Sequence, residues 1–241
     1  MVRKQKAHFI PAAATVANLA AGLWAIFLAS SGRYDQAALL IIAAVLFDSL
    51  DGALARMFRA TSEFGAELDS LADVVSFGVA PAVVVACLMP EELRLFGWFM
   101  ALFYGLCCAW RLARFNANRA TSSHGFFLGL PSTAAGGCAA SMVLAHNILA
   151  ESGHMHGIGL LPWVLLVLSV LMVSHFHYRH IGILMAKFPV AWAVGGLFAL
   201  AMVVLYWRYE LAFAVFFWGY AATGPVLAVG EKLKELHEAR I

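Results

Sequence analysis

The chain is divided along its whole length into apolar runs separated by short polar stretches. A run of about 20 mostly apolar residues is long enough to cross the hydrocarbon of a bilayer as a helix. Eight such runs are present, with rough limits 9–30, 36–57, 70–89, 94–115, 129–150, 158–177, 189–206 and 210–229. In hydrocarbon every backbone polar group must be bonded internally, so each run is expected to be helical. The composition agrees: 63% of residues are hydrophobic and 12% are charged. Soluble domains carry roughly 25% charged residues. The predicted fold is an all-α, polytopic membrane helix bundle of about eight transmembrane helices, forming a single transmembrane domain over residues 1–241. The run from Phe9 to Ser30 exceeds the apolar region of a secretory leader, so it reads as a retained first span.

The positions of the charges set the orientation, because short cytoplasmic loops collect lysine and arginine. With the N-terminus inside, all but three of the 16 basic residues fall on that side, and Arg33, Arg94 and Arg208 are the exceptions. Both termini are therefore expected in the cytoplasm. A net charge of +2 gives no reason to expect a nucleic-acid partner. Cys87, Cys107, Cys108 and Cys138 lie in apolar stretches and read as buried small hydrophobes. His175, His177 and His180 read as interfacial histidines beside Arg179. A metal site is the alternative, but no carboxylate or cysteine stands near them in sequence.

Ionisable residues inside spans are costly and invite a functional explanation. Asp48 and Asp51 lie near the inner end of the second run, and Asp69 and Asp73 at the inner start of the third. At 3.6 residues per turn each pair shares a helix face, and a hairpin between the runs can bring all four carboxylates together. Such a group repels itself unless cations are present. Hard divalent ions take oxygen ligands, and Mg²⁺ is often shared with substrate phosphates. Four carboxylates would suit a two-metal cluster. Gly52 and Ala55 leave room for a bulky substrate, and Arg56 offers a fork for phosphate oxygens. The competing reading is a set of interfacial acids paired with Arg56 and Arg59.

The run Asp48-Ser49-Leu50-Asp51-Gly52-Ala53-Leu54-Ala55-Arg56, followed after eight residues by Gly65-Ala66-Glu67-Leu68-Asp69-Ser70-Leu71-Ala72-Asp73, resembles the CDP-alcohol phosphotransferase signature at every fixed position. The stretch from Leu68 to Pro81 is similar to that of membrane-spanning phosphatidylserine synthases, as are Arg111-Leu112-Ala113-Arg114-Phe115-Asn116 and Gly129-Leu130-Pro131. The resemblance covers a catalytic region over 9–140, with additional transmembrane helices over 141–241. Two departures stand out. Ala12 follows Pro11 where the family often has asparagine, ahead of Thr15 and Asn18. Ser132-Thr133 follows Pro131 where many relatives have a second proline.

The resemblance implies transfer of a phosphatidyl group from CDP-diacylglycerol to the hydroxyl of L-serine, releasing CMP. It implies a two-metal site of Mg²⁺ or Mn²⁺: Asp48, Asp51 and Asp69 on one ion, and Asp48, Asp69 and Asp73 on the other. Asp73 would also be the general base. Gly52, Arg56 and Ser62 match the positions that contact the CDP-linked donor. For the acceptor, Arg111 and Arg114 are candidates to clamp a carboxylate, or they anchor the helix among head groups. Asn116 and Ser76 are further polar candidates. The implied setting is the inner membrane, with the site facing the cytoplasm and a homodimer as the assembly. Two alternatives stand beside this reading. One is the same reaction with glycerol phosphate, inositol phosphate or choline as acceptor, and the other is an ion-coupled transporter.

Overall fold

A computed structural model describes residues 2–58, 63–117, 126–151, 157–179 and 209–238. Among them the helices are α1 (Val2–Ser30), α2 (Tyr34–Phe58), α3 (Glu63–Asp73), α4 (Ala80–Leu88), α5 (Arg94–Ala117), α6 (Ser132–Glu151), α7 (Gly157–Val173) and α8 (Tyr209–Glu238). The body is thus all-helical. Among the described residues, four stretches are long and apolar enough to cross a membrane: Ala13–Ser30, Glu63–Leu88, Glu91–Ala117 and Glu210–Gly230. The expected seventh run, 189–206, lies outside the described residues.

Local chemistry sets the helix ends. Between α1 and α2 the backbone of Gly32 takes φ 76°. The Arg33 N–H returns to Leu28 O at 2.9 Å and that of Gly32 to Ala29 O at 3.1 Å. This double return closes the last carbonyls of α1 and needs a residue free to adopt positive φ. Several boundaries differ from those read in the sequence, with α1 beginning at Val2 rather than 9 and α8 running on to Glu238 rather than 229. The third helix begins at Glu63, so Asp69 and Asp73 sit within a helix rather than at its start. The helix of the fifth expected run, α6, begins at Ser132, because Gly129 (φ 78°) and Pro131 shape the chain ahead of it. The sixth ends at Val173, and His177–Arg179 form a short strand (β2) antiparallel to Phe126–Leu128 (β1).

The sequence gives no warning of a further feature: Val74–Val79 is a π-helical turn joining α3 to α4. Ala80 donates to Val75 O, one residue further back than in an α-helix. The wider turn is gripped from α5, where Tyr104 donates to Phe77 O at 2.9 Å. Gly78 permits this approach, since a Cβ there would stand 3.1 Å from Cys108 Sγ.

The interior is built largely from small side chains, among them Ala25, Ala37, Ala38, Ala86, Ala135 and Ala139. Small residues let helices approach closely where lipid supplies no hydrophobic drive between them. Leu95, Trp98, Phe99, Leu102, Leu106 and Trp110 of α5 point outward. This is the pattern of a lipid-facing surface, and the chain is an integral membrane protein. Helix α1 packs along α2, α5 on α7, and α8 against α6.

Candidate active site

Three helices converge on the acids. Helix α2 supplies Asp48 and Asp51 one turn apart, and α3 supplies Asp69 and Asp73 one turn apart. Helix α1 presents Thr15 and Asn18 from the side. Carboxylate oxygens of Asp48, Asp51 and Asp69 all lie within 4.8 Å of one another. Asp51 is buried, hydrogen-bonded by the Thr15 side chain and by the Gly52 backbone. Its Oδ2 is also buried and accepts no hydrogen bond among the described residues.

Asp73 sits deeper, at the junction with the π turn. Asn18 Nδ2 donates to its Oδ1 at 3.4 Å, and Asp48 meets it carboxyl to carboxyl. Ser76 Oγ donates to the Asn18 backbone carbonyl at 2.9 Å. This bond ties α1 to the π turn and so fixes Asn18 over Asp73. Gly22 faces Ser76 across the same contact, and a Cβ on it would stand 2.8 Å from Ser76 Cα.

The residues fit a hard divalent ion. Two carboxylate oxygens on opposite sides of one ion are separated by twice a metal–oxygen bond of about 2.1–2.4 Å, or about 4.2–4.8 Å. The three oxygens, all within 4.8 Å of one another, do not exceed the upper end of this span. The buried Asp51 Oδ2 is a lone-pair donor left for such an ion. Three acids so close could hold a metal ion.

The two arginines of α5 have different settings. Arg111 is buried, stands over the Phe115 ring at 5.3 Å and donates to Ser132 Oγ at 3.3 Å. Its charge acts on both Asp73 and Asp48. Arg114 turns away. Its guanidinium donates to Val173 O and Leu128 O at 3.0 Å, and to Met172 O and Ser174 O at 3.3 Å. The carbonyls of Met172, Val173 and Ser174 close the C-terminus of α7, where the helix dipole favours a cation, and that of Leu128 belongs to β1. The Gly129-Leu130-Pro131 run belongs to the same junction: Gly129 donates to Phe176 O and Leu130 to Leu171 O.

The other candidates are dispersed. Asn116 donates to Ser70 Oγ at 2.9 Å, beside Asp69. Ser76 is fully buried in the helix contact described above. Gly52 is half-buried next to Asp51. Arg56 lies on the last turns of α2, while Ser62 and His180 fall outside the described residues. His175 is exposed and His177 lies in β2, so these two do not share one helix face. Thr15 and Asn18 are the site residues whose contacts sequence spacing alone did not reveal. Their signal was two polar side chains three apart on one face of an apolar helix.

Comparison with known proteins adds three facts. A family model described as CDP-alcohol phosphatidyltransferase matches residues 8–174. A Mycobacterium bovis protein named CDP-diacylglycerol–serine O-phosphatidyltransferase is 39% identical over 174 residues, covering 69% of this chain and 59% of that protein. Proteins of the same name from Mycobacterium leprae and Bacillus subtilis are 32% and 34% identical, covering 97% and 72% of this chain and 83% and 91% of their own lengths. The chain therefore spans about 59% of the Mycobacterium bovis relative and most of the other two.

Proposed function

We infer the activity from one premise: the chain belongs to the CDP-alcohol phosphatidyltransferase family. The reaction we propose is transfer of the phosphatidyl group of CDP-diacylglycerol to the hydroxyl of L-serine, giving phosphatidylserine and CMP. The observation that carries it is the convergence of the Asp48, Asp51 and Asp69 carboxylates within 4.8 Å. The names of the relatives support serine as the acceptor.

Asp48, Asp51 and Asp69 would hold one divalent ion, Mg²⁺ or Mn²⁺, and Asp48, Asp69 and Asp73 a second. When bound, these ions supply positive charge to the diphosphate of the donor and to departing CMP. Gly52, Arg56 and Ser62 are assigned to the donor head group. Gly52 leaves the helix surface bare, and Arg56 offers planar donors to phosphate. Asp73 is assigned as the base that accepts the serine hydroxyl proton. The hydroxyl oxygen forms a bond to the phosphorus nearest the diacylglycerol as that phosphorus parts from the CMP oxygen. Asn18 holds the Asp73 carboxyl in place for this transfer. Arg111, a buried cation facing Asp73, is assigned to the serine carboxylate. Arg114 is assigned to the α7 junction instead.

The wider setting is proposed on the same footing. Eight spans, two cytoplasmic termini and a cytoplasm-facing site in the inner membrane follow from the apolar runs and the basic residues flanking them. A homodimer rests on family resemblance. The deciding experiment supplies purified protein with CDP-diacylglycerol, Mg²⁺ or Mn²⁺ and labelled serine, and measures CMP and labelled lipid. CMP release with another alcohol but none with serine would overturn the acceptor and leave the reaction class standing.

A further inference from the structure

Part of the cause of the π turn at Val74–Val79 lies just beyond its end. In an α-helix the Phe77 carbonyl would accept from the backbone N–H of residue 81, four positions on. Residue 81 is proline, which has no N–H and whose ring crowds the carbonyl four residues back. An α turn therefore cannot close at this carbonyl, and the chain takes the wider turn instead. The donor that Pro81 withholds comes from another helix. Tyr104 of α5 is fully buried and donates its hydroxyl to Phe77 O at 2.9 Å. Phe77 is fully buried too, so no water replaces that bond. From α6, Gly136 faces the same residue, and a Cβ on it would stand 3.0 Å from Phe77 Cβ.

The register of this turn sets where the acids of α3 point. Asp73 immediately precedes it, and Asp69 stands one helical turn earlier. A π turn holds about one residue more than an α turn, so closing it would rotate α3 about its axis by about 100° relative to α4. That rotation would carry Asp69 and Asp73 away from Asp48 and Asp51 on α2. Ser76, inside the turn, also donates to the Asn18 backbone carbonyl at 2.9 Å, and Asn18 reaches Asp73. We propose that Tyr104 is a positioning residue for Asp73: its hydroxyl stands in for the N–H that Pro81 lacks and keeps the turn in the register that aims Asp73 into the site. Tyr104 acts through the Phe77 carbonyl, from a helix other than the two that carry the acids. The inference rests on the assignment of Asp73 as the base.

Tyr104→Phe keeps the buried ring and removes only the hydroxyl. Turnover is read as CMP release with serine, or with whichever alcohol releases CMP. It should fall about tenfold, the cost of a shift of roughly half an ångström, while the KM values for both substrates stay within about twofold of wild type. A kcat within about twofold of wild type overturns the proposal, whatever the KM values do. The thermal midpoint should also fall, because a buried carbonyl loses its donor. Pro81→Ala separates positioning from mere support. Added to Tyr104→Phe, it returns a backbone N–H to the Phe77 carbonyl and lets an α turn close there. The midpoint should recover while kcat stays about tenfold or more below wild type. Recovery of both would show that Tyr104 only satisfies a carbonyl, and overturns the proposal. If Tyr104→Phe alone is too unstable to assay, the kcat of the double variant decides in the same way. Asp73→Asn distinguishes failure of this inference from failure of its premise. Full activity in that variant removes the base assignment. An inactive Asp73→Asn beside wild-type turnover in Tyr104→Phe overturns the role of Tyr104 alone.

Discussion

Gly22→Ala tests how Asp73, the proposed base, is held without touching any acid. Gly22 lies where α1 crosses the π turn, and a methyl group there would come within 2.8 Å of Ser76 Cα. The obstacle is backbone, so no side-chain rotation relieves it. Ordinary contact begins near 3.4 Å, so the helices must part by roughly 0.6 Å, and overpacking of this kind costs about 1–3 kcal/mol. The same shift moves Asn18, which Ser76 ties to the turn and which holds Asp73 at 3.4 Å. A misplacement of 1 Å costs about 100-fold in rate, so this one should lower kcat by about 10-fold to 20-fold. The assay is CMP release at saturating serine and CDP-diacylglycerol, with the thermal midpoint measured in parallel. Adding Ser76→Ala leaves the backbone contact and also removes the hydroxyl that ties Asn18 to the turn, so it should not restore the activity. A Gly22→Ala protein within twofold of wild type, with an unchanged midpoint, would refute the claim that this crossing positions Asp73.

Asp69→Asn and Asp73→Asn should each lower turnover at least 100-fold while the purified proteins remain monodisperse by size exclusion; full activity in either would refute its assigned role. Chelation should abolish CMP release and added Mn²⁺ or Mg²⁺ should restore it, read in one continuous assay. Arg111→Ala and Arg114→Ala should separate cleanly. The first should raise KM for serine at least tenfold, while the second should lower stability by about 2–4 kcal/mol with KM for serine little changed, because its lost partners are backbone carbonyls.

The four aspartates and the helical character of the spans were legible because each follows from local chemistry. An acid in an apolar run is conspicuous, and spacings of three and four place two acids on one face. Arg111 and Arg114 were not separable in the same way. They stand three apart on one helix, and only distant carbonyls at 172–174 and a hydroxyl at 132 assign them different work. Ser76 looked like a substrate contact because it is polar and close to Asp73 in sequence. The π turn instead aims it at α1. The turn itself was hidden, since its segment Val74–Val79 reads as ordinary apolar helix. Its cause lies partly in α5, where Tyr104 and Cys108 grip Phe77 and Gly78.

The cluster also explains why α1 and α5 must enclose these acids. Like charges within 4.8 Å repel by about 3 kcal/mol per pair at an effective dielectric of about 20. Three such pairs oppose the folded arrangement as strongly as a typical domain's whole stability, about 5–15 kcal/mol, favours it. Among the described residues, Thr15 and Gly52 bond Asp51, Asn18 bonds Asp73, and the Arg111 charge lies nearby. Neutral hydrogen bonds contribute about 0.5–1.5 kcal/mol each, less than one such repulsion. Cations bound at the proposed metal site would offset this repulsion, so metal affinity and the stability of this corner of the fold would be linked. Neutralising one acid should therefore weaken metal binding and relieve the metal-free protein at the same time, which an ordinary buried ion pair would not do.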